Sequence, residues 1–128
     1  MSDIMVPVSI GELVDKITIL RIKSQMIKKA EKLSHIKAEL TALIKVCHAN
    51  DIDLDNQLVD ELQNVNLKLW KIEDDIRLKE KAKAFDDEFV DLARAVYRVN
   101  DQRFEAKSNI NEHYGSQLRE EKSYEDYD

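Results

Sequence analysis

The sequence contains few of the residues that turn a polypeptide chain: two glycines and one proline among 128 residues. Hairpin-rich folds need a turn signal roughly every 8–12 residues, so this scarcity excludes β-sandwiches and β-barrels. Aromatic residues are also few, at 6%, whereas charged residues reach 36%. That balance is typical of long amphipathic helices, and the composition therefore predicts an all-α protein.

Other absences bear on location and cofactors. Cys47 is the only cysteine, so no internal disulfide can form, as is typical of a reducing compartment. No apolar run approaches the ~20 residues of a membrane span, and the N-terminus lacks a signal-peptide pattern. We therefore expect a cytoplasmic protein with no membrane partner. The histidines share no ligand spacing with Cys47 and no phosphate-binding glycine loop is present, so no metal or other cofactor is predicted.

The net charge of −6 is concentrated toward the C-terminus, where residues 115–128 are strongly acidic. General nucleic-acid binding needs a basic face, so we expect no nucleic-acid partner. The same segment has few aliphatic residues and is predicted to be a flexible tail that could bind a protein partner. Residues 1–114 are predicted to form a single helical domain, with an extended lead at 1–8.

The first helix has the strongest local signals. Ser9 and Glu12 have the spacing of a capping box, which predicts a helix start at Ser9. Apolar residues then recur every three or four positions as far as Cys47, with no glycine or proline after Gly11. The pattern predicts one long helix over about 9–48. It weakens at Lys28 and Lys29, where a bend is an alternative.

Two shorter helices are predicted over about 56–83 and 86–114. The first carries an uninterrupted heptad seam of the coiled-coil type, with Asp55 as its expected N-cap. A turn is predicted around Ala82–Asp86, the alternative being one continuous helix. Gly115 is well placed to end the last helix in the left-handed conformation. The fold prediction is thus an antiparallel bundle of one long and two shorter helices.

The unequal lengths predict an intertwined homodimer. The long helix would measure ~60 Å and each shorter helix ~42 Å, so the first three turns would extend past their partners. Those turns are apolar, and soluble monomers avoid exposed patches of that kind. We therefore expect the N-terminal part of the first helix to pack against a second copy. The alternative is a bend that folds this overhang onto its own bundle.

Five arginines form the candidate ligand-binding site: Arg21, Arg77, Arg94, Arg98 and Arg103. They interrupt or flank the apolar stripes, and several lie at similar heights in the expected bundle. The planar guanidinium suits carboxylates and phosphates, which predicts a site for a small anionic ligand. The alternative is that these arginines pair with the chain's own carboxylates, which are Glu12, Asp15, Glu73, Glu80, Asp91 and Asp101.

Acidic residues suggest a second kind of chemistry. Glu73 and Asp74 precede Glu88 and Asp91, which form an E-x-x-D pattern. All-α nucleotide pyrophosphatases hold Mg²⁺ between such carboxylates on adjacent helices, because facing carboxylates enclose a hard cation. Arg77 stands where this pattern needs a further carboxylate. Because the E-x-x-D half of the pattern is present, a Mg²⁺-dependent protein similar to the nucleotide pyrophosphatases is kept as the second alternative function.

Three segments carry a resemblance to a known family: residues 7–20 (PVSIGELVDKITIL), 69–77 (LWKIEDDIR) and 85–103. They resemble an uncharacterised bacterial family known only as a domain of unknown function, and the likeness covers roughly residues 6–125. A weaker resemblance, at the level of the fold, is to the all-α chorismate mutases. It implies a cofactor-free enzyme that grips a dicarboxylate, with Arg21, Arg77, Arg94 and Arg98 as the cations.

Together these patterns predict an oligomeric interaction or scaffold module with an arginine-lined site for a small anion. The chorismate-mutase-like enzyme is the first alternative to this function.

Overall fold

The computed structural model describes residues 3–128, which form four helices and no strand. The helices are α1 (Ile10–Met26), α2 (Ala30–Ala49), α3 (Gln57–Lys81) and α4 (Asp87–Tyr114). The all-α prediction is confirmed. None of these four helices combines the length and the apolar character that crossing a membrane requires. The first two residues of the predicted lead lie outside the described range, and residues 3–9 have no regular secondary structure.

The predicted long helix over 9–48 is wrong, because the chain leaves the helical conformation between α1 and α2. Ile27 is extended (φ −86°, ψ 133°), and Lys29, the N-cap of α2, is extended as well. The break falls where the apolar stripe weakens. Lys16 precedes the break by about as many residues as Glu39 follows it. Lys16 Nζ and Glu39 Oε2 form an ion pair at 2.8 Å. Helix α2 therefore folds back antiparallel to α1.

This fold-back removes the overhang from which the dimer was predicted. Helix α1 packs against all three other helices, and Leu13, Val14, Ile17 and Leu20 are buried within their own chain. The alternative of a bend is what the structure shows. A homodimer stays a prediction, but the first turns of α1 no longer supply the exposed apolar surface for it.

The ends of α3 and α4 lie within two residues of their predicted positions. Asn56, not Asp55, is the N-cap of α3, and its Oδ1 accepts the N–H of Val59 at 3.1 Å. Lys83 adopts a positive φ of 55° between the helices, so the alternative of one continuous helix is wrong. Gly115 ends α4 at φ 63°, as predicted.

The start of α1 is held by side chains from the other end of the chain. Ser9 Oγ accepts the N–H of Glu12 at 3.1 Å, which is half of the predicted capping box. The N–H of Ile10 donates to Ser116 Oγ (3.2 Å) and that of Gly11 to Asn111 Oδ1 (2.6 Å). The first N–H groups of a helix have no partner within it, so these bonds satisfy groups that burial would otherwise penalise.

Gly11 allows this close approach. A Cβ at this position would lie 2.6 Å from the carbonyl oxygen of Lys107 and 2.9 Å from Asn111 Oδ1. Any side chain would therefore push α1 away from α4.

The apolar core lies at the end of the bundle where α1 and α3 begin and α2 and α4 end. All four helices and the α2–α3 loop contribute to it: Leu13, Val14, Ile17, Cys47, Ile52, Val59, Leu62, Ala106 and Ile110. Because the core is at one end, the middle of the bundle is free to hold polar groups between α1, α3 and α4.

Replacing Gly11 by alanine should destabilise the protein by about 1–3 kcal/mol, the usual cost of an overpacked interior. Urea unfolding followed by circular dichroism measures this loss. Gly115→Asn is the matched control, because asparagine tolerates the left-handed conformation and nothing lies within 4 Å of that position. Equal losses in the two variants would contradict the close approach of α1 to α4.

Candidate ligand-binding site

A buried carboxylate joins three helices in the middle of the bundle. Asp15, on α1, is 1% exposed. Its Oδ1 accepts Arg103 Nε at 3.0 Å and its Oδ2 accepts Arg103 Nη2 at 2.5 Å, which is a bidentate ion pair with α4. Asn66 on α3 donates a further hydrogen bond to Oδ1 at 2.9 Å. Two parallel bonds fix the guanidinium in orientation as well as in position.

Thr18, one turn after Asp15, completes this network. Its hydroxyl donates to the carbonyl oxygen of Asp15 at 2.8 Å and accepts the second N–H of Asn66 Nδ2 at 2.9 Å. Across residues 3–128, every buried side-chain nitrogen and oxygen has a hydrogen-bond partner. The network therefore carries no unpaired polar group, as a stable buried cluster requires.

Arg103 remains charged and keeps donors to spare. The hydrogen bonds that Arg103 donates to Asp15 raise the pKa of the guanidinium, and burial opposes that rise without cancelling it. A guanidinium has five N–H groups, of which Asp15 takes two. Three are left for other partners.

Lys107 lies one turn further along α4 and is 6% exposed. Its Nζ donates to Glu12 Oε2 at 2.9 Å and to Glu120 Oε2 at 2.6 Å. Burial lowers the pKa of Lys107, but the hydrogen bonds to Glu120 and Glu12 and the negative charges of Asp15 and Glu12 together outweigh it and leave the pKa raised. Arg103, Lys107 and Asn111 follow at intervals of four residues and form one polar row on α4.

A cleft of about 530 Å³ opens beside Arg103 between α1, α3 and α4. We call it the three-helix cleft. Helix α1 contributes an apolar side chain, α3 an aromatic ring with polar and charged groups, and α4 an amide and the guanidinium. Its lining residues are Ile19, Asn66, Leu69, Trp70, Glu73, Asp74, Arg77, Asn100 and Arg103.

The structure brings together two of the five predicted site residues, Arg77 and Arg103, in this cleft. Arg21 lies toward α2, where its charge partly offsets the rise that burial causes in the pKa of the Cys47 thiol. Arg94 is exposed and does not line the cleft. Arg98 faces the C-terminal tail. Of the five arginines, only Arg77 and Arg103 line this cleft, and a ligand site at any of them stays a prediction.

The alternative of internal ion pairing is observed for part of the set. Asp15 pairs with Arg103, and Glu73 pairs with Arg77 at 3.4 Å. The second pair is exposed and one turn apart on α3, so it contributes little to stability.

The tail packs along α4, and the two together line a second, open cavity of about 920 Å³. Glu120 reaches Lys107, Lys122 reaches Asp101, and Asp128 lies 3.6 Å from Arg98. Hydrogen bonds from Lys122 and Tyr127 lower the pKa of Asp101. The predicted flexibility of this tail stays a prediction.

The acidic pattern that suggested magnesium is used for other contacts. Glu88 pairs with Lys79 at 3.0 Å, and Glu73 pairs with Arg77. Among residues 3–128, no group of three or more His, Cys, Asp or Glu side chains is placed to hold a metal ion. The pyrophosphatase-like alternative therefore gains no support.

A family model described as a family of unknown function (DUF6165) matches residues 4–127. The chain belongs to this family. No curated protein and no solved structure matches the chain. The resemblance to a domain of unknown function is thus confirmed for almost the whole chain, whereas the resemblance to chorismate mutases gains no support. Membership of the family brings no activity with it, so function must be argued from the geometry.

Sequence reasoning missed several residues of the network. Asn66 and Thr18 gave no signal, because a single asparagine or threonine on a charged helix looks like surface. Asn111 was also missed, although its four-residue spacing from Lys107 and Arg103 could have indicated a shared polar face. A buried polar row on a helix is visible in the sequence only where charged residues interrupt an apolar stripe.

Replacing Asp15 by alanine should cost about 3–5 kcal/mol, because it leaves the Arg103 guanidinium without its carboxylate. Lys16→Ala is the matched control on the next residue. It removes the exposed pair with Glu39 and should cost only about 0–1 kcal/mol. Urea unfolding of both variants measures the difference, and similar losses would show that the buried pair does not hold the bundle together.

Proposed function

We propose that the protein binds, in the three-helix cleft, a small ligand that carries an anionic group, a cationic group and a flat ring. The observation that carries this proposal is that Arg77 and Arg103 line the same cleft as the half-buried Trp70. Concave sites with apolar walls and a few convergent polar groups are the usual form of small-molecule sites.

Both arginines have capacity for a ligand. Arg103 keeps three N–H groups after its bidentate pair with Asp15. Arg77 is held only by a 3.4 Å contact with Glu73, in which its side chain is 78% exposed. An exposed pair of this kind is worth little, so a ligand carboxylate or phosphate can replace it at small cost.

The carboxylates of the cleft define the second charge of the ligand. Glu73 and Asp74 line it together with the two arginines, so its charges are balanced. A dicarboxylate would be attracted by the two arginines but repelled by the two carboxylates. A ligand with one acidic and one ammonium group finds a partner for each. The sequence predicted a small anionic ligand, and the carboxylates of the cleft indicate that this ligand also carries a positive charge, which makes it a zwitterion.

Trp70 and the neighbouring amides supply the remaining contacts. An indole ring presents a large apolar face on which another ring can stack. Asn66 and Asn100 bring amide groups to the same cleft, beside Ile19 and Leu69. The cleft thus offers charge, hydrogen bonds and an apolar wall within one volume of about 530 Å³.

The test uses the fluorescence of Trp70, the only tryptophan in the chain. Titration with L-phenylalanine should change this emission in a saturable way. Two matched compounds separate the contributions: 3-phenylpropanoate lacks the ammonium group and 2-phenylethylamine lacks the carboxylate. Each should bind about tenfold more weakly, since one charge-assisted contact is worth about 1.4 kcal/mol or more.

Variants assign the binding to the cleft. Arg77→Gln should weaken L-phenylalanine binding by about tenfold, while Arg94→Gln, an equal change on an exposed arginine outside the cleft, should leave it unchanged. Equal effects of the two substitutions, or tighter binding of 3-phenylpropanoate than of L-phenylalanine, would contradict the proposal.

A second candidate function, the oligomeric interaction module, is favoured by the N-terminal lead. Ile4 and Met5 are 86% and 85% exposed, and Val6 and Val8 follow them with exposed side chains. Soluble monomers seldom expose contiguous apolar residues. The lead, not the first turns of α1, is therefore the surface through which a homodimer would form.

Light scattering over a range of protein concentrations tests this second candidate. The wild-type chain should approach the mass of a dimer, and Ile4→Asp with Val6→Asp should restore the monomer. Val46→Asp, at an exposed valine on α2, is the matched control and should leave the dimer intact. A wild-type monomer at every concentration would exclude the homodimer.

A further inference from the structure

We propose that the face of α4 beneath the tail is a docking surface for an acidic, tyrosine-bearing segment of a partner protein. The chain's own tail then acts as an intramolecular competitor for that surface. The docking surface consists of Tyr97, Arg98, Asp101, Phe104 and Lys107, all of which contact the tail. This site is separate from the three-helix cleft and does not depend on the ligand proposed for it.

Charge complementarity defines the ends of the fitting segment. Glu120 Oε2 pairs with the buried ammonium of Lys107 at 2.6 Å. At the other end of the segment, Asp128 Oδ1 lies 3.6 Å from Arg98 Nη2. Between them, Lys122 pairs with Asp101. A fitting segment therefore carries a carboxylate, a lysine two residues later, and an acidic residue six positions after that lysine.

Aromatic contacts define the positions of the lysine and of the residue before the last carboxylate of the segment. The rings of Tyr127 and Tyr97 meet edge to face with centroids 5.0 Å apart, and the Arg98 guanidinium lies 4.9 Å from the Tyr127 ring centroid. Lys122 Nζ lies 5.5 Å from the Phe104 ring centroid. Contacts of both kinds depend on ring geometry, so a tyrosine next to the acidic residue that meets Arg98 adds specificity to the charges.

The tail is held in a way that permits exchange. It has no helix or strand after residue 115, and the ion pair at its end is largely exposed, with 75% of the Asp128 side chain accessible. An exposed pair of this kind holds the tail only weakly. The stronger contact is that of Glu120 with the buried ammonium of Lys107, and covalent attachment adds an effective concentration on the order of millimolar.

Release of the tail leaves the surface ready for a replacement. Lys107 keeps Glu12 as a partner at 2.9 Å, so its buried charge stays compensated while one carboxylate position becomes vacant. A polyphosphate would be repelled there by Asp101 and Glu12. An acidic peptide with an internal lysine meets both signs of charge, as the tail does.

The experiment uses full-length chains and a defined probe, a synthetic peptide of residues 116–128 with a fluorescein at its N-terminus. In one variant, Glu120→Gln with Asp128→Asn removes the two tail carboxylates that pair with α4. Fluorescence anisotropy should show the peptide binding this variant at least about tenfold more tightly than wild type, because the internal competitor is weakened. Adding Arg98→Gln to that variant should reverse much of the gain.

The matched control is Glu121→Gln with Glu125→Gln, an equal charge change at two tail carboxylates for which residues 3–128 provide no ion pair. It should bind the peptide as wild type does. A peptide of the same composition in scrambled order should bind more weakly than the natural order. Equal binding by wild type and the Glu120–Asp128 variant, equal binding of the scrambled peptide, or no saturable binding at millimolar peptide would each overturn the proposal.

Discussion

The buried ion pair between Asp15 and Arg103 is the interaction on which the arrangement of the bundle depends. An uncompensated charge in the interior costs several kcal/mol, so a carboxylate that is 1% exposed fixes the positions of whatever compensates it. Here the partners come from α4 and, through Asn66, from α3. Apolar residues alone would allow small shifts between these helices. The bidentate ion pair and the hydrogen bond from the Asn66 amide are directional and oppose such shifts, and both Asn66 and Arg103 line the three-helix cleft.

A second constraint ties the two ends of the chain together. The N–H groups at the start of α1 are satisfied by Asn111 and Ser116, and Gly11 lets α4 come close enough for this. The tail therefore starts at the core end of the bundle, next to the N-cap of α1. From there it runs back along α4, which brings Glu120 to Lys107 and, further on, Asp128 to Arg98. The path of the tail thus follows from the capping of a helix at the opposite end of the sequence.

The sequence predicted what local chemistry controls and missed what depends on tertiary contacts. The caps at Ser9 and Gly115 and the turn before Asp86 were all predictable, because each involves residues within one turn. The break after Met26 was predicted only as an alternative, since the apolar stripe weakens there but no glycine or proline marks it. Burying the stripe of α1 among three helices stabilises the broken chain more than a continuous helix would. The arginine site was predicted as five residues because heights along helices are readable from sequence, whereas the direction in which each side chain points is not.

Arg103 separates the two proposed sites, since it lines both the three-helix cleft and the cavity beneath the tail. A shared side chain would couple the sites if it could turn from one to the other. Asp15 prevents this, because rotating the guanidinium would break two hydrogen bonds to a buried carboxylate, at a cost of about 3 kcal/mol or more. Neither a small ligand nor an exposed tail carboxylate supplies that free energy through one contact. The ion pair between α1 and α4 therefore holds Arg103 in one orientation between the two cavities. Asn100 also lines both cavities and, among residues 3–128, is held by no such pair, so it is the side chain through which binding in one cavity would affect the other.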